Sequence, residues 1–341
     1  MISIRHRKTL TMSFVLMGLV GLLVMALPCP ATHAAEKTIT LRLGHESIPD
    51  SQWGRTADWF AERVNFRTNG KVKIDVYPSC QLGTSSELIE ACKMGIIDIV
   101  WTYPSQVARF VPEMGVLSPT FLFKDVASMM AFTRGSIVAD LNEKCANKGI
   151  RVLVYSYMGT RHLTCNKPIY KPEDFKGVKI RSMPTPVALE CIRAMGATPT
   201  PVAWEELYGA LESGIVEGQE NPVAEIIDMK FYQVQKYLIL TGHQLMFTLH
   251  VVSDKTWKKL PGDVQKAMME VAHDMIYFNE GLVKENTERG LKFLSEKLKV
   301  IGPEDGLDVT AFHKKALEEI PPKFDKQWGD LYRKISTQYG Q

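Results

Sequence analysis

Residues 177–201 read GVKIRSMPTPVALECIRAMGATPTP, and this stretch decides the fold. Val178-Lys-Ile-Arg181 alternates apolar and charged residues, as a strand does. Pro186 to Met195 follows with helical spacing, proline at its start and Gly196 at its end. Thr198-Pro-Thr-Pro201 is extended, because proline pushes its predecessor out of the helical region. Strand, helix and extended segment in close succession form the repeating unit of an α/β fold.

The same alternation extends outward on both sides. Upstream, Ile39, Leu41 and Leu43 alternate before Gly44, and Val72, Ile74 and Val76 alternate before Pro78. Trp53 to Phe66 reads as a helix with Ala57, Phe60 and Val64 on one face. Thr84 and Glu87 make a capping box for a second helix, which Gly95 closes. Ile96 to Trp101 is a nearly continuous apolar run, as expected of a strand buried on both faces. Arg151-Val-Leu-Val-Tyr155 opens a second set of strands. Downstream, Trp204 to Glu212 reads as helix up to Gly214, and Tyr237 to Thr241 and Leu245 to Val252 as strands. A long helix covers Gly262 to Lys297, and a last helical stretch, Val309 to Thr337, is interrupted at Pro321-Pro322. The expectation is an α/β fold with largely parallel pairing, in two lobes joined by several short crossings suited to a hinge.

The first residues are expected to be a targeting segment. Arg5, Arg7 and Lys8 form a basic head, Phe14 to Leu27 an apolar run, and Thr32-His33-Ala34 a small-residue cleavage pattern. Together they read as a secretory signal over residues 1–35, cut near Ala34/Ala35. Taking the three bases of the head from the 41 Lys and Arg leaves 38, against 38 Asp and Glu, so the formal charge of +3 belongs to the signal. No basic stripe remains to argue for nucleic acid or an anionic membrane. Besides Cys29, five cysteines remain (Cys80, Cys92, Cys145, Cys165 and Cys191), widely spaced and without C-x-x-C. They read as buried small apolar residues, with one disulfide possible in an oxidising compartment. The chain has no G-x-G-x-x-G, P-loop, H-E-x-x-H or G-x-S-x-G, so no positive case for an enzyme, a cofactor or a metal arises.

Chemistry-bearing residues concentrate between Tyr157 and Asn221. Arg161 follows a strand, Arg181 ends one, and Asn221 follows a Gly-containing strand, within Glu217-Gly-Gln-Glu-Asn-Pro222. Ligands of open α/β sheets sit beyond the carboxyl ends of strands. A guanidinium fork there matches a carboxylate with two parallel hydrogen bonds.

Gln81-Leu-Gly83, Gly159-Thr-Arg161, Gly177-Val-Lys-Ile-Arg181, Gly196-Ala-Thr-Pro-Thr-Pro201, Glu206-Leu-Tyr208 and Glu217-Gly-Gln-Glu-Asn-Pro222 together resemble the DctP-like family. These are the extracytoplasmic solute receptors of TRAP (tripartite ATP-independent periplasmic) transporters. The resemblance implies a two-lobed periplasmic binding protein of the type II kind, with lobe I at 36–158 plus 247–286 and lobe II at 159–246 plus 287–341. It implies Arg181 as the grip on a ligand carboxylate, Arg161 as its second basic partner and Asn221 as the polar group completing the site. Trp204 falls at an aromatic pocket wall, Trp101 and Tyr103 at a ligand-facing strand end, Glu46 and Thr84 on first-lobe loops, and His243 between the lobes. Plainer roles stand beside these: core for Trp101, a solvated loop residue for Glu46, a helix cap for Thr84, a hinge histidine for His243.

The expected ligand is a small organic carboxylate. The rings of Trp101, Tyr103 and Trp204 incline it toward an apolar or ring portion, with a sugar acid or dicarboxylate as alternatives. The expected partners are that ligand and the membrane subunits of a TRAP transporter, with the chain monomeric, periplasmic and without cofactor. A receptor of an ABC importer and an exported α/β hydrolase of small acids are the competing readings. Removing Arg161 is expected to cost less binding than removing Arg181, and neither change to move the melting temperature.

Overall fold

The computed structural model describes residues 38–340. The signal-peptide reading of residues 1–35, Cys29 included, lies outside them. Nine strands form one sheet: β1 Ile39–Gly44, β2 Val72–Tyr77, β3 Ile99–Thr102, β4 Ile150–Cys165, β5 Lys179–Ser182, β6 Thr198–Pro201, β7 Gly218–Pro222, β8 Tyr237–Ser253 and β9 Lys299–Ile301. Their order is β2-β1-β3-β8-β4-β7-β5-β6, with β9 added beside β8.

The sheet contains the same pattern twice. β1 pairs in parallel with β2 and β3, and β5 pairs in parallel with β6 and β7. Between the two parallel triplets run β4 and β8, paired antiparallel to each other along almost their full length. The pairings β3–β8 and β4–β7 are also antiparallel. The expectation of largely parallel pairing therefore holds inside each triplet and fails at the centre, where the sheet is mixed. Tyr237–Thr241 and Leu245–Val252, read separately from the sequence, belong to the one strand β8. Thr241 and His243 are buried there although polar, which hides the continuity from a hydropathy pattern.

The crossing strands are bent rather than straight. Register shifts fall between Val152 and Val154, Tyr157 and Gly159, and Arg161 and Leu163. Gly159 has φ 143°, and a Cβ there would lie 2.9 Å from the Pro222 Cβ, so only glycine suits the bulge beside β7.

Local signals set the flanking helices. Ser51 caps Gln52–Arg67 by accepting from Gly54 N, and Trp53, Ala57, Phe60 and Val64 form its buried face. The capping box at Thr84 and Glu87 opens Ser85–Met94, and Gly95 closes it in the left-handed conformation. The 34-residue helix Gly262–Ser295 places Met268, Val271 and Met275 in the core with Trp53 and Trp101, and Leu294 in a second core with Trp204 and Phe231. Midway along it, Asn279 Oδ1 accepts from Gln52 Nε2 (2.9 Å) and its Nδ2 donates to the Tyr157 carbonyl (2.7 Å). Pro321 and Pro322 lie inside the last turn of Val309–Lys323, so the break falls at Phe324 rather than at the prolines. Beyond it, Asp325–Tyr339 packs on Pro112–Leu117 and Val126–Phe132, elements of the chain's first half. Cys92, Cys145, Cys165 and Cys191 are buried, Cys80 is half-buried, and all five are free.

Candidate functional site

All six strands of the two triplets end on one cavity, or on loops that lead to it. Glu46 follows β1, the loop after β2 leads to Thr84, and Tyr103 follows β3. Arg181 lies in β5, the chain after β6 reaches Trp204, and Asn221 lies near the end of β7. These six side chains and Arg161 of β4 line a cavity of ≈ 200 Å³. The carboxyl ends of parallel strands are where an open α/β sheet exposes unpaired backbone and variable loops.

Arg181 is 2 % exposed. Its Nε donates to the Val202 carbonyl at 3.0 Å, and its guanidinium carbon lies 5.8 Å from the centre of the Trp204 ring. The Trp204 ring is itself held edge-on against Phe231. The two terminal nitrogens of Arg181 have no hydrogen-bond partner among the described residues. Burial pulls its pKa down to about 10, the Arg161 charge adding to this and the Glu220 and Glu46 charges opposing it. It stays cationic at neutral pH, desolvated and with donors to spare.

Arg161 is arranged differently. Its Nε and Nη2 both donate to the Glu220 carboxylate, Nη2 also to the Glu220 carbonyl, and Nη1 lies against the Met246 sulfur. His243 Nε2 stands 3.1 Å from Glu220 Oε2, and its Nδ1 2.7 Å from Thr241 Oγ1. Burial alone would raise the Glu220 carboxyl, but the Arg161 charge and the hydrogen bonds from His243 and Arg161 hold it down at about 2. An ionised carboxylate only accepts, so His243 Nε2 carries the proton of that contact.

Seven of the nine residues singled out in the sequence thus meet at the cavity, and two do not. Trp101 is core: its ring stacks on His45 (6.0 Å) and meets His250 edge-on (4.6 Å). An apolar ring between two buried strands packs best there, and its absence from the cavity removes one of the three aromatics that inclined the ligand toward an apolar portion. His243 lines a neighbouring void of ≈ 20 Å³ with Glu220 and reaches the site only through that carboxylate. Glu46 is 6 % exposed, not the solvated loop residue of the plainer reading. Thr84 both caps its helix and lines the cavity.

Sequence reasoning passed over Glu220 and Glu225. A buried arginine needs a carboxylate, and Glu220 sits beside Asn221 on the strand paired with Arg161, so the signal was present. Glu225 is 2 % exposed in the short helix after β7, and the Ser47 hydroxyl donates to its Oε1 at 3.5 Å. Burial raises its carboxyl from 4.5 to about 8, and the Asp228 and Glu46 charges add to the rise. The folded state therefore holds a proton there that the unfolded chain has released. The stability this contributes is whole below pH 4.5 and is lost as pH rises through 8. Glu225→Gln should match wild type at pH 5 and exceed it by roughly 1–3 kcal/mol at pH 9 in denaturant unfolding. Equal pH dependence in the two proteins would contradict this placement.

Among the described residues no group of His, Cys, Asp and Glu could hold a metal ion, and no helix is long and apolar enough to cross a membrane.

A family model described as bacterial extracellular solute-binding protein, family 7 (DctP), matches residues 43–334. A solute-binding protein of Verminephrobacter eiseniae is 35% identical over 301 residues, covering 88% of each chain. A TRAP periplasmic solute-binding protein of Sulfurospirillum deleyianum, solved with bound succinate, is 33% identical, with a TM-score of 0.82 over 89% of this chain and 99% of its own. Another from a Polaromonas species, bound to D-erythronate, is 31% identical, with a TM-score of 0.83 over 89% of this chain and 100% of its own.

Proposed function

The chain belongs to family 7 of the bacterial extracellular solute-binding proteins, and from that premise we propose that it is a periplasmic receptor. It captures one small organic carboxylate by closing around it and delivers the ligand to the membrane subunits of a TRAP-type secondary transporter. The observation that carries this reading is Arg181: a buried guanidinium whose terminal donors are unpaired and face a cavity built from the strand ends of both triplets. The relatives solved with succinate and D-erythronate support a carboxylate as the class.

Closure is the motion that this reading calls for. With the lobes taken as 36–158 plus 247–286 and 159–246 plus 287–341, β4, β8 and the long helix Gly262–Ser295 cross between them, and the last helix packs on Pro112–Leu117 and Val126–Phe132 of the first. Glu46, Thr84 and Tyr103 come from one lobe, Arg181, Trp204 and Asn221 from the other. A ligand touching both adds contacts only when the lobes approach, so it shifts the equilibrium toward the closed form. The membrane subunits would read that form. The site residues hold and orient, and no nucleophile–base pair is needed. The protein acts as a monomer after export and removal of residues 1–35.

Native mass spectrometry of the protein as purified, with calorimetric titration of small carboxylates, tests this. One carboxylate per chain, recovered unchanged after incubation, is expected, together with a smaller radius of gyration in solution scattering. Turnover of the ligand, or binding without compaction, would overturn the receptor reading.

A further inference from the structure

The relatives solved with a dicarboxylate and with a hydroxy monocarboxylate are about equally similar to this chain, so the comparisons do not choose between those classes. The cavity does. We infer that Glu46 is the residue that selects the ligand: the site takes a monocarboxylate presenting a hydroxyl opposite its carboxylate, and discriminates against a dicarboxylate. This rests on the receptor reading above and names the ligand class of the same site.

The two triplets turn opposite charges toward one cavity. β1 and β5 are each the central strand of a triplet, flanked on both sides by parallel partners. The carboxyl end of β5 supplies Arg181 and that of β1 supplies Glu46, and both line the cavity. Glu46 is fixed there. The Tyr103 hydroxyl donates to its Oε1 at 2.5 Å, and the Tyr103 ring stacks on Trp53 at 5.0 Å. The other carboxyl oxygen, Oε2, has no partner among the described residues.

The cationic capacity of the walls is enough for one carboxylate. Arg161 is spent on Glu220. Arg181 has its two terminal nitrogens left, the number a single carboxylate uses. Another anion-favouring feature on the wall is the N-terminus of the helix Ser85–Met94, and a carboxylate of the chain already stands beside it. There the Glu87 carboxylate accepts from Thr84 N (2.8 Å) and Thr84 Oγ1 (2.9 Å). A second ligand carboxylate would meet no free cation among the lining residues, and would face Glu46 and the lining residue Glu205. Like charges brought together in a desolvated site are strongly disfavoured.

A hydroxyl meets no such barrier. Burial raises the Glu46 carboxyl to about 7, with the Tyr103 hydrogen bond and the Arg181 charge opposing the rise. Both protonation states are therefore accessible near neutrality. A hydroxyl donates to the ionised form and accepts from the neutral one. A carboxylate pairs only with the neutral form, which is the minor one at pH 8.

The test is calorimetric titration at pH 8 of wild type and Glu46→Gln. The probes are aldonates of four to six carbons, dicarboxylates of matching length and ω-amino acids. Wild type should bind at least one aldonate roughly 10–100-fold more tightly than its matched dicarboxylate, and Glu46→Gln should shrink that preference about tenfold or more. Wild type preferring the dicarboxylate or the amino acid overturns the inference and leaves the receptor reading standing. So does an unchanged preference in a variant that melts like wild type. No binding of any of these carboxylates would instead count against the receptor reading.

Discussion

Arg181→Ala is expected to weaken ligand binding by roughly 30- to several-thousand-fold. In the proposed receptor the pair it forms with a carboxylate would be desolvated on closure, and truncating one partner of such a pair costs roughly 2–5 kcal/mol, at about 1.4 kcal/mol per decade. Arg181→Lys keeps the charge but loses the planar fork, and the single ammonium cannot serve both carboxylate oxygens while also reaching the Val202 carbonyl. It should recover only a small part of the affinity. Stability without ligand should hardly respond. Arg181 is buried with one hydrogen bond and with donors unpaired, so the empty protein carries a desolvation cost that alanine relieves, against the loss of packing over Trp204. The melting temperature of the empty protein should therefore barely fall. Calorimetry with the identified carboxylate, beside a melt of the ligand-free protein, checks both halves. Wild-type affinity in a folded Arg181→Ala protein would remove the anchor.

Much of this arrangement is legible in the sequence because it depends on local order. Strand alternation, the capping box at Thr84 and Glu87, and Gly95 as a helix stop all rest on residues within a few positions of one another. The strand–helix–strand unit from Gly177 to Pro201 places Arg181 at a strand end before any tertiary contact is known. Long-range facts are less accessible. β4 and β8 cross between the triplets, but buried polar residues interrupt their apolar pattern: Thr241 pairs with His243, and His243 reaches Glu220 on another strand. A hydropathy pattern reads such residues as a strand boundary. The helices Val126–Phe132 and Ser136–Asn147 have no counterpart in the alternating pattern, since each turns only a few residues to the core. Trp101 shows the limit for a single side chain. Its position at the end of β3 suits either face, and the neighbouring rings of His45 and His250 decide that it turns inward while Tyr103 reaches the cavity.

Arg161 marks where family resemblance and local geometry part, and it carries the other large expectation. Read from the sequence, it is a second basic contact whose loss leaves folding untouched. In the structure its guanidinium is 1 % exposed and its hydrogen bonds run to Glu220 rather than into open space. Removing either partner leaves a buried charge without its ion-pair partner. Arg161→Ala leaves Glu220 with His243 alone, and Glu220→Ala leaves Arg161 beside Arg181 with no carboxylate bound to either. Breaking a buried pair in this way costs about 3–5 kcal/mol. Each single variant is therefore expected to lower the unfolding free energy from denaturant titration by that amount in the absence of ligand, whereas Arg181→Ala does not. Replacing both residues together, as Arg161→Met with Glu220→Leu, removes the two charges at once and should recover a large part of the loss. The two sites then separate cleanly. Arg161 and Glu220 act on stability first, and on binding through the position of Asn221, the neighbour of Glu220 on β7. Arg181 is expected to act on binding first. Single variants that unfold like wild type, or a double variant no more stable than either, would show that the Arg161–Glu220 pair does not hold the crossing strands together.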